Sequence, residues 1–266
     1  MRLWICLLLV FCTSIHAKTR VEILADSAYP PYSWQEGEEV RGIYADIIRE
    51  VTASMSDYEV VLKPMPWRRG LSMVEQGSAF AIFPPYYLPD ARPYIWPYSQ
   101  PMLDEELVVM CGASVAANTP QARFPLDYHG LRFGMNAGFA IGGDAFWQAV
   151  KEKQIDVEEV KSNRENLLKI VRGRVDCTVN DRLSLLYELL NMIKGDQLAV
   201  ADMSLLKQGP VLSKEQGFLG YSRKGEYPYK QAFIEQFDKE LYQLKKRDLC
   251  ILYVWYNRKL PYIRHH

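Results

Sequence analysis

The densest run of side chains able to do chemistry is aromatic. Tyr86, Tyr87, Tyr94, Trp96 and Tyr98 fall within thirteen residues. Rings at that density can cage a cation or stack on a flat ligand, and tyrosine-rich loops equally serve as packing or partner surface. Arg92 stands among them in the turn-like Asp90-Ala91-Arg92-Pro93. Its planar fork of N–H donors suits a carboxylate, with a solvated surface arginine as the alternative. Further candidates are Asp26 and Tyr29 in a turn-rich stretch and Trp67 on an amphipathic helix pattern, where it can also be read as core. Asp181, which follows Asn180, precedes a helical run in a place where aspartate is a favoured N-cap. No nucleophile–base pair accompanies these groups. His129 is isolated and nothing has metal-ligand spacing, so no metal and no cofactor is expected.

These residues are carried by alternating strand and helix patterns. Met1 to Ala17 have a basic residue, an apolar run of about ten residues and a small-residue end, the zones of a cleaved secretory signal peptide. The run is about half the length a spanning helix needs. The protein is therefore expected to be exported to the periplasm. About 249 residues remain, enough for two ordinary domains. Val21 to Ala25, Tyr58 to Leu62 and Phe80 to Phe83 read as strands; Gly42 to Val51 and Pro66 to Val74 read as helices. A second cycle has strands at Leu131 to Gly134 and Val175 to Val179, and helices at Asp144 to Lys153, after Ser162-Asn163-Arg164-Glu165, and at Leu183 to Ile193. A strand at Phe218 to Ser222 leads into a closing helical region from Tyr229 onward. The pattern is α/β.

Charge and cysteines narrow the partners. Thirty-two Lys and Arg balance thirty-two Asp and Glu. With no basic block, nucleic acid is not an expected partner. Cys6 and Cys12 leave with the signal. Cys111, Cys177 and Cys250 permit at most one bridge, and their spacing reads as small buried hydrophobes rather than as a disulfide.

Asp26-Ser27-Ala28-Tyr29-Pro30-Pro31-Tyr32, Gly42-Ile43-Tyr44-Ala45-Asp46, Trp67 and Arg92 in register with Phe80, and Gly173-Arg174-Val175-Asp176 followed by Asp181 resemble, in that order, extracytoplasmic solute-binding proteins of family 3, the polar amino-acid-binding type of ABC transporters. The resemblance implies a periplasmic-binding-protein-like clamp: two α/β lobes joined by hinge crossings, with ligand in the interlobe cleft. It places the first part of lobe 1 at 18–108, lobe 2 at 109–214, and the return to lobe 1 with C-terminal helices at 215–266. It implies a monomer that captures a small amino-acid-like ligand and serves an ABC permease or a membrane receptor. Arg92 is then the carboxylate holder, Asp181 the acid facing the ligand's ammonium, Tyr29 and Trp67 the aromatic sandwich, and Asp26 the acid for a basic side chain. Tyr87 and Phe139 stand where the family has hydroxyl or small residues. Phe80, Pro84, Pro85 and Pro89 likewise depart from the pattern, so an ordinary α-amino-acid site is not expected. A ligand with a cationic or aromatic portion and a carboxylate is.

Two other readings use the same fold. It resembles exported dehydratases, for which Glu105, Glu106 and Asp181 are the carboxylates near hinge or cleft, but a non-enzymatic role is expected. A sensing module that docks on a membrane receptor would use the same clamp.

Overall fold

The computed structural model describes residues 17–118 and 123–247. Met1 to His16 of the expected signal peptide, Cys250 and the end of the expected C-terminal helices lie outside them.

Two five-stranded sheets carry the molecule. The first contains β1 (Thr19–Asp26), β5 (Tyr58–Met65), β6 (Ala81–Phe83), β7 (Ile95–Tyr98) and β13 (Gly220–Ser222), in the order β5-β1-β6-β13-β7. The second contains β8 (Leu103–Gly112), β9 (Arg132–Asn136), β10 (Asp156–Val160), β11 (Cys177–Asp181) and β12 (Leu206–Gly217), in the order β10-β9-β11-β8-β12. A small antiparallel sheet of β2 (Ala28–Tyr29), β3 (Ser33–Glu36) and β4 (Glu39–Arg41) follows β1. The helices are α1 (Ile43–Ala53), α2 (Trp67–Gln76), α3 (Ala113–Asn118), α4 (Gly143–Lys151), α5 (Asn163–Val171), α6 (Arg182–Lys194) and α7 (Lys230–Arg247).

Strand alternation sends side chains to both faces of each sheet, so each face must be covered. On β1, Val21, Ile23 and Ala25 join the core under α1 and α7, whereas Leu24 joins the one under α2. On β8, Leu107, Val109 and Cys111 point to the α4 side, and Val108 and Met110 to the side of α5 and α6. The apolar runs of these strands thus follow from burial on both faces.

The chain passes between the sheets at the start of β8 and at the end of β12. These two long strands pair antiparallel from Leu103↔Gly217 to Leu206↔Gly112, with register shifts between Gln208 and Ser213. Such crossings are the segments able to absorb a rotation of one body against the other.

Cys111 and Cys177 are joined by a disulfide, which corrects their reading as separate small hydrophobes. Spacing of 66 residues conceals that β8 and β11 are neighbours with Cys177 directly opposite Cys111. Only the register brings the two thiols together.

Gly217 closes the crossing where there is no room for a side chain. A Cβ there would lie 1.8 Å from the Tyr44 hydroxyl oxygen and 2.4 Å from its Cζ. Gly217→Ala is expected to cost roughly 1–3 kcal/mol through that overpacking, read as a lower thermal midpoint by circular dichroism. Gly112→Ala, at the other end of the strand pair, would meet nothing nearer than 3.7 Å and should leave the midpoint nearly unchanged.

Candidate functional site

Parallel strands expose their carboxyl ends to a crevice, and that is where the side chains converge. Asp26 ends β1, Trp67 begins α2 directly after β5, and Pro84 and Tyr86 follow β6. From the second sheet, Phe139 and Ile141 follow β9. With Tyr29, Leu88 and Arg92 they line one cavity. Local backbone fixes their approach. Pro66 opens α2 at φ −55°, a value proline pre-sets. Arg92 is held in a turn by its N–H to the Leu88 carbonyl and by the Ile95 N–H to its own carbonyl.

The walls are aromatic. The Phe139 ring meets Tyr29 edge-on at 5.5 Å and Trp67 at 6.3 Å. The Arg92 guanidinium lies 5.4 Å from the centre of the Trp67 ring. Trp67 is therefore both a core residue and a cavity wall.

A basic and an acidic side chain are held in this space without pairing with one another. Arg92 is buried, and its guanidinium donates from Nη2 to the Gly138 carbonyl at 3.1 Å. Burial pulls its pKa down. Asp26 is buried too and accepts the Ala28 N–H at 2.9 Å. Burial pushes its pKa up to about 7 against that one bond. Among the described residues no ion pair joins either group to a partner. The Trp67 indole N–H is likewise buried without an acceptor. Unsatisfied polar groups of this kind are costly, and a ligand that supplies their partners recovers the cost.

Behind the aromatic wall lies a group that sequence reasoning placed near the hinge without its role. Glu105, on β8, is buried and accepts hydrogen bonds from the hydroxyls of Tyr29, Tyr44 and Tyr86, the last at 2.6 Å. Burial, followed by the nearby Asp181 charge, raises its pKa to about 8 against those three bonds. The signal was present in the alternation Leu103, Glu105, Leu107, where an acid takes an inward position of a strand.

The expected site residues divide accordingly. Asp26, Tyr29, Trp67, Arg92 and Phe139 come together in the cavity. Tyr87 does not: it is 51% exposed and packs on Tyr98 and Phe218, facing a larger groove that adjoins the cavity at Tyr86, Leu88 and Ile141. Of the aromatic cluster only Tyr86 lines the cavity, and Trp96 is 51% exposed. Asp181 does not reach it either. It caps α6, accepting the Ser184 N–H at 2.8 Å, the Glu106 N–H at 3.0 Å and the Tyr32 hydroxyl. It lines a second cavity that shares no residue with the first. Its place as an N-cap and as neighbour of Glu105 explains that separation.

The two sheets are in contact across the cleft. Besides the Arg92 bond to Gly138, Arg68 of α2 pairs with Glu159 of β10, and Ser184 Oγ donates to the Pro30 carbonyl at 2.6 Å. Trp34 lies against Tyr187 with ring centres 6.1 Å apart.

Residues 21–248 match the sequence profile of bacterial extracellular solute-binding proteins, family 3. No curated protein matches by sequence. Among solved structures, the chain is similar to an ancestral arginine-binding protein bound to arginine, at 15% identity and TM-score 0.65 over 87% of this chain and 94% of that one. It is similar to the substrate-binding protein of an ABC uptake transporter from Streptococcus pneumoniae with bound histidine, at 17% identity and TM-score 0.66 over 86% and 87%. It is also similar to a histidine kinase sensor domain with similarity to periplasmic binding proteins, at 12% identity and TM-score 0.68 over 86% and 92%. At these identities the likeness is one of fold.

A raised carboxyl pKa has a definite sign. Folded Asp26 holds its proton up to about pH 7, whereas the unfolded chain releases it near 3.8, so its contribution to stability falls as pH rises between those values. Asp26→Asn is therefore expected to stabilise the ligand-free protein at pH 8 by up to about 4 kcal/mol, read as a higher thermal midpoint, and to leave the midpoint nearly unchanged at pH 4. A lower midpoint at pH 8 would mark Asp26 as a structural acid instead.

Proposed function

The chain belongs to the bacterial extracellular solute-binding proteins, family 3, and from that premise we propose that it captures a small carboxylate-bearing, cationic or aromatic molecule in the cleft between its two lobes and passes it to an ABC importer. It acts after export, as a periplasmic protein freed of its signal peptide, and it works as a monomer.

The observation that carries this reading is the cavity's stored charge. A guanidinium held by one carbonyl and a ring face has donors left for a carboxylate, and two parallel charge-assisted bonds would fix that carboxylate's position. The flat walls of Tyr29, Trp67 and Phe139 suit a cation or a ring between them. Contacts between the sheets at Arg92, Arg68 and Ser184 would surround the molecule once it is in place. The Cys111–Cys177 bond supports export, since such bonds persist in oxidising compartments.

The roles assigned to the fold follow. The β8–β12 crossing acts as the hinge, residues 18–108 and the return after it form one lobe, and 109–214 form the other. Nothing in the cavity pairs a nucleophile with a base, and Glu105 is turned to three phenols rather than to the space a ligand would occupy. Binding without turnover is the reading these contacts favour.

The test is a thermal-shift and calorimetric screen of the mature protein against amino acids, amines and aromatic carboxylates, run beside Arg92→Ala. A native-state ligand raises the midpoint with its concentration. A saturable shift is expected for carboxylate-bearing cations, and Arg92→Ala should weaken their binding by roughly 2–5 kcal/mol. Equal affinities in the two proteins would remove Arg92 from the site.

A further inference from the structure

Glu105 and its three phenols are held together by four oxygen contacts, and the protons available to fill them number three or four. The Tyr29 and Tyr86 hydroxyls both meet Oε2 of Glu105, the second at 2.6 Å, and the Tyr44 hydroxyl meets Oε1. The fourth contact joins the Tyr29 and Tyr86 hydroxyls to each other at 3.1 Å, with either able to donate. Each phenol carries one proton.

With Glu105 ionised, all three protons go to the carboxylate, and the Tyr29 and Tyr86 oxygens face one another with lone pairs only. One contact is then empty. With Glu105 neutral, its own proton goes to one of the two phenols on Oε2, that phenol turns its O–H to the other, and the other donates back to Oε2, while Tyr44 keeps Oε1. Every contact is filled, which a buried polar cluster requires. In the absence of an outside donor this count favours the neutral acid.

The surroundings act in the same direction. Glu105 feels Asp181 at the head of α6, to which Tyr32 donates, and its register partner on β12 is Glu215, which accepts from Ser213 Oγ at 2.7 Å. Glu105 borders the second cavity with the cations Arg182, paired with Glu106, and Lys214. Burial and the Asp181 charge nevertheless hold its pKa up.

Tyr29 and Tyr86 line the first cavity, whereas Glu105 does not. A ligand there meets two phenols whose polarity is set by an acid behind them. A nitrogen cation with N–H groups can donate to both oxygens and so fill the contact that ionisation empties. One positive charge arrives as another leaves, and no unpaired charge is left in the buried cluster.

We propose that the solute's cationic nitrogen takes the place of the Glu105 proton, donating to the Tyr29 and Tyr86 oxygens while the acid gives its proton to solvent, so that Glu105 is the indirect counter-charge of the bound solute. This rests on the solute-capture reading above and assigns a partner to the solute's cation. Glu105 is a positioning residue in this role, acting through the two phenols.

Isothermal titration at pH 7 in two buffers of unlike ionisation heat counts the protons given up on binding. The probes are L-lysine, L-arginine and 4-aminobutanoate, each carried to saturation. The tightest binder is expected to release at least about one proton per molecule from the wild-type protein and to bind more tightly as pH rises. In Glu105→Gln, which keeps the side chain's size and cannot ionise, the release should fall by about one proton and the affinity tenfold or more. Tyr86→Phe, which keeps the acid and removes one side of the empty contact, should lose the same proton. Circular dichroism first establishes that each variant is folded, and either alone decides if the other is not. No release from the wild-type protein, or a release within about half a proton of the wild type's in a folded variant, overturns the exchange and leaves solute capture standing. Binding of none of the three probes overturns cation capture and the exchange together.

Discussion

Burying Glu105 at the point where the chain first leaves one sheet for the other places a demand on four other parts of the molecule. A carboxyl group taken out of water must find partners. Tyr29, Tyr44 and Tyr86 supply them from the small sheet's first strand, from α1 and from the loop after β6. Gly217, opposite Leu103 on the returning strand, leaves the room that Tyr44 needs to reach in. Two of the three phenols have a second task, since their rings form part of the cavity wall. The hinge and the pocket are thus built on the same side chains, and anything that shifts Glu105 shifts the wall. Burial and the nearby Asp181 charge raise its pKa to about 8, and the three phenol bonds hold that rise down.

The aromatic rings of this pocket offer its charged side chains few hydrogen-bonding partners. Hydroxyls would have satisfied charges locally and left an amphoteric lining. Rings leave the charges at Asp26 and Arg92 exposed to whatever enters, inside a low-dielectric space where each is strengthened. Such an arrangement costs the empty protein stability and is recovered only in the complex, the usual trade at a functional site.

Much of this was legible in the sequence because burial on both faces writes apolar runs into the strands. β1, β5 and β6 fall on runs with two or more of Val, Ile, Phe and Tyr, and β9, β11 and β13 on short runs with one each. The helices from α4 to α6 begin near Ser162, Asp181 and the glycine bend, as capping chemistry requires. Asp26, Tyr29, Trp67, Arg92 and Phe139 were found through register with a family pattern, and they meet because each follows the carboxyl end of a strand or precedes a turn there. What stayed hidden was non-local. β10 and β12 went unassigned because DVEEV and LKQGPVLSKEQG carry few apolar residues, as edge strands need no apolar face on the solvent side. The small sheet is too short to show alternation. Tyr87 and Asp181 were expected beside Arg92 from their register with the family pattern, whereas ring packing in one case and a helix cap in the other hold them outside that cavity. The cysteine pair depended on strand register alone.

That pair also gives the two halves of the protein unlike covalent topologies. The Cys111–Cys177 bond closes a ring of chain holding α3, β9, α4, β10 and α5 entire, and in the chain-entropy account a loop of that length restricts the unfolded state by about 4 kcal/mol. Among the described residues the first sheet has no such ring, and it is assembled from segments at both ends of the sequence, β1 and β13 among them. One half is therefore closed on itself by a covalent ring, while the other is held by pairing between strands from both ends of the sequence. A cut anywhere between the two cysteines leaves both pieces joined.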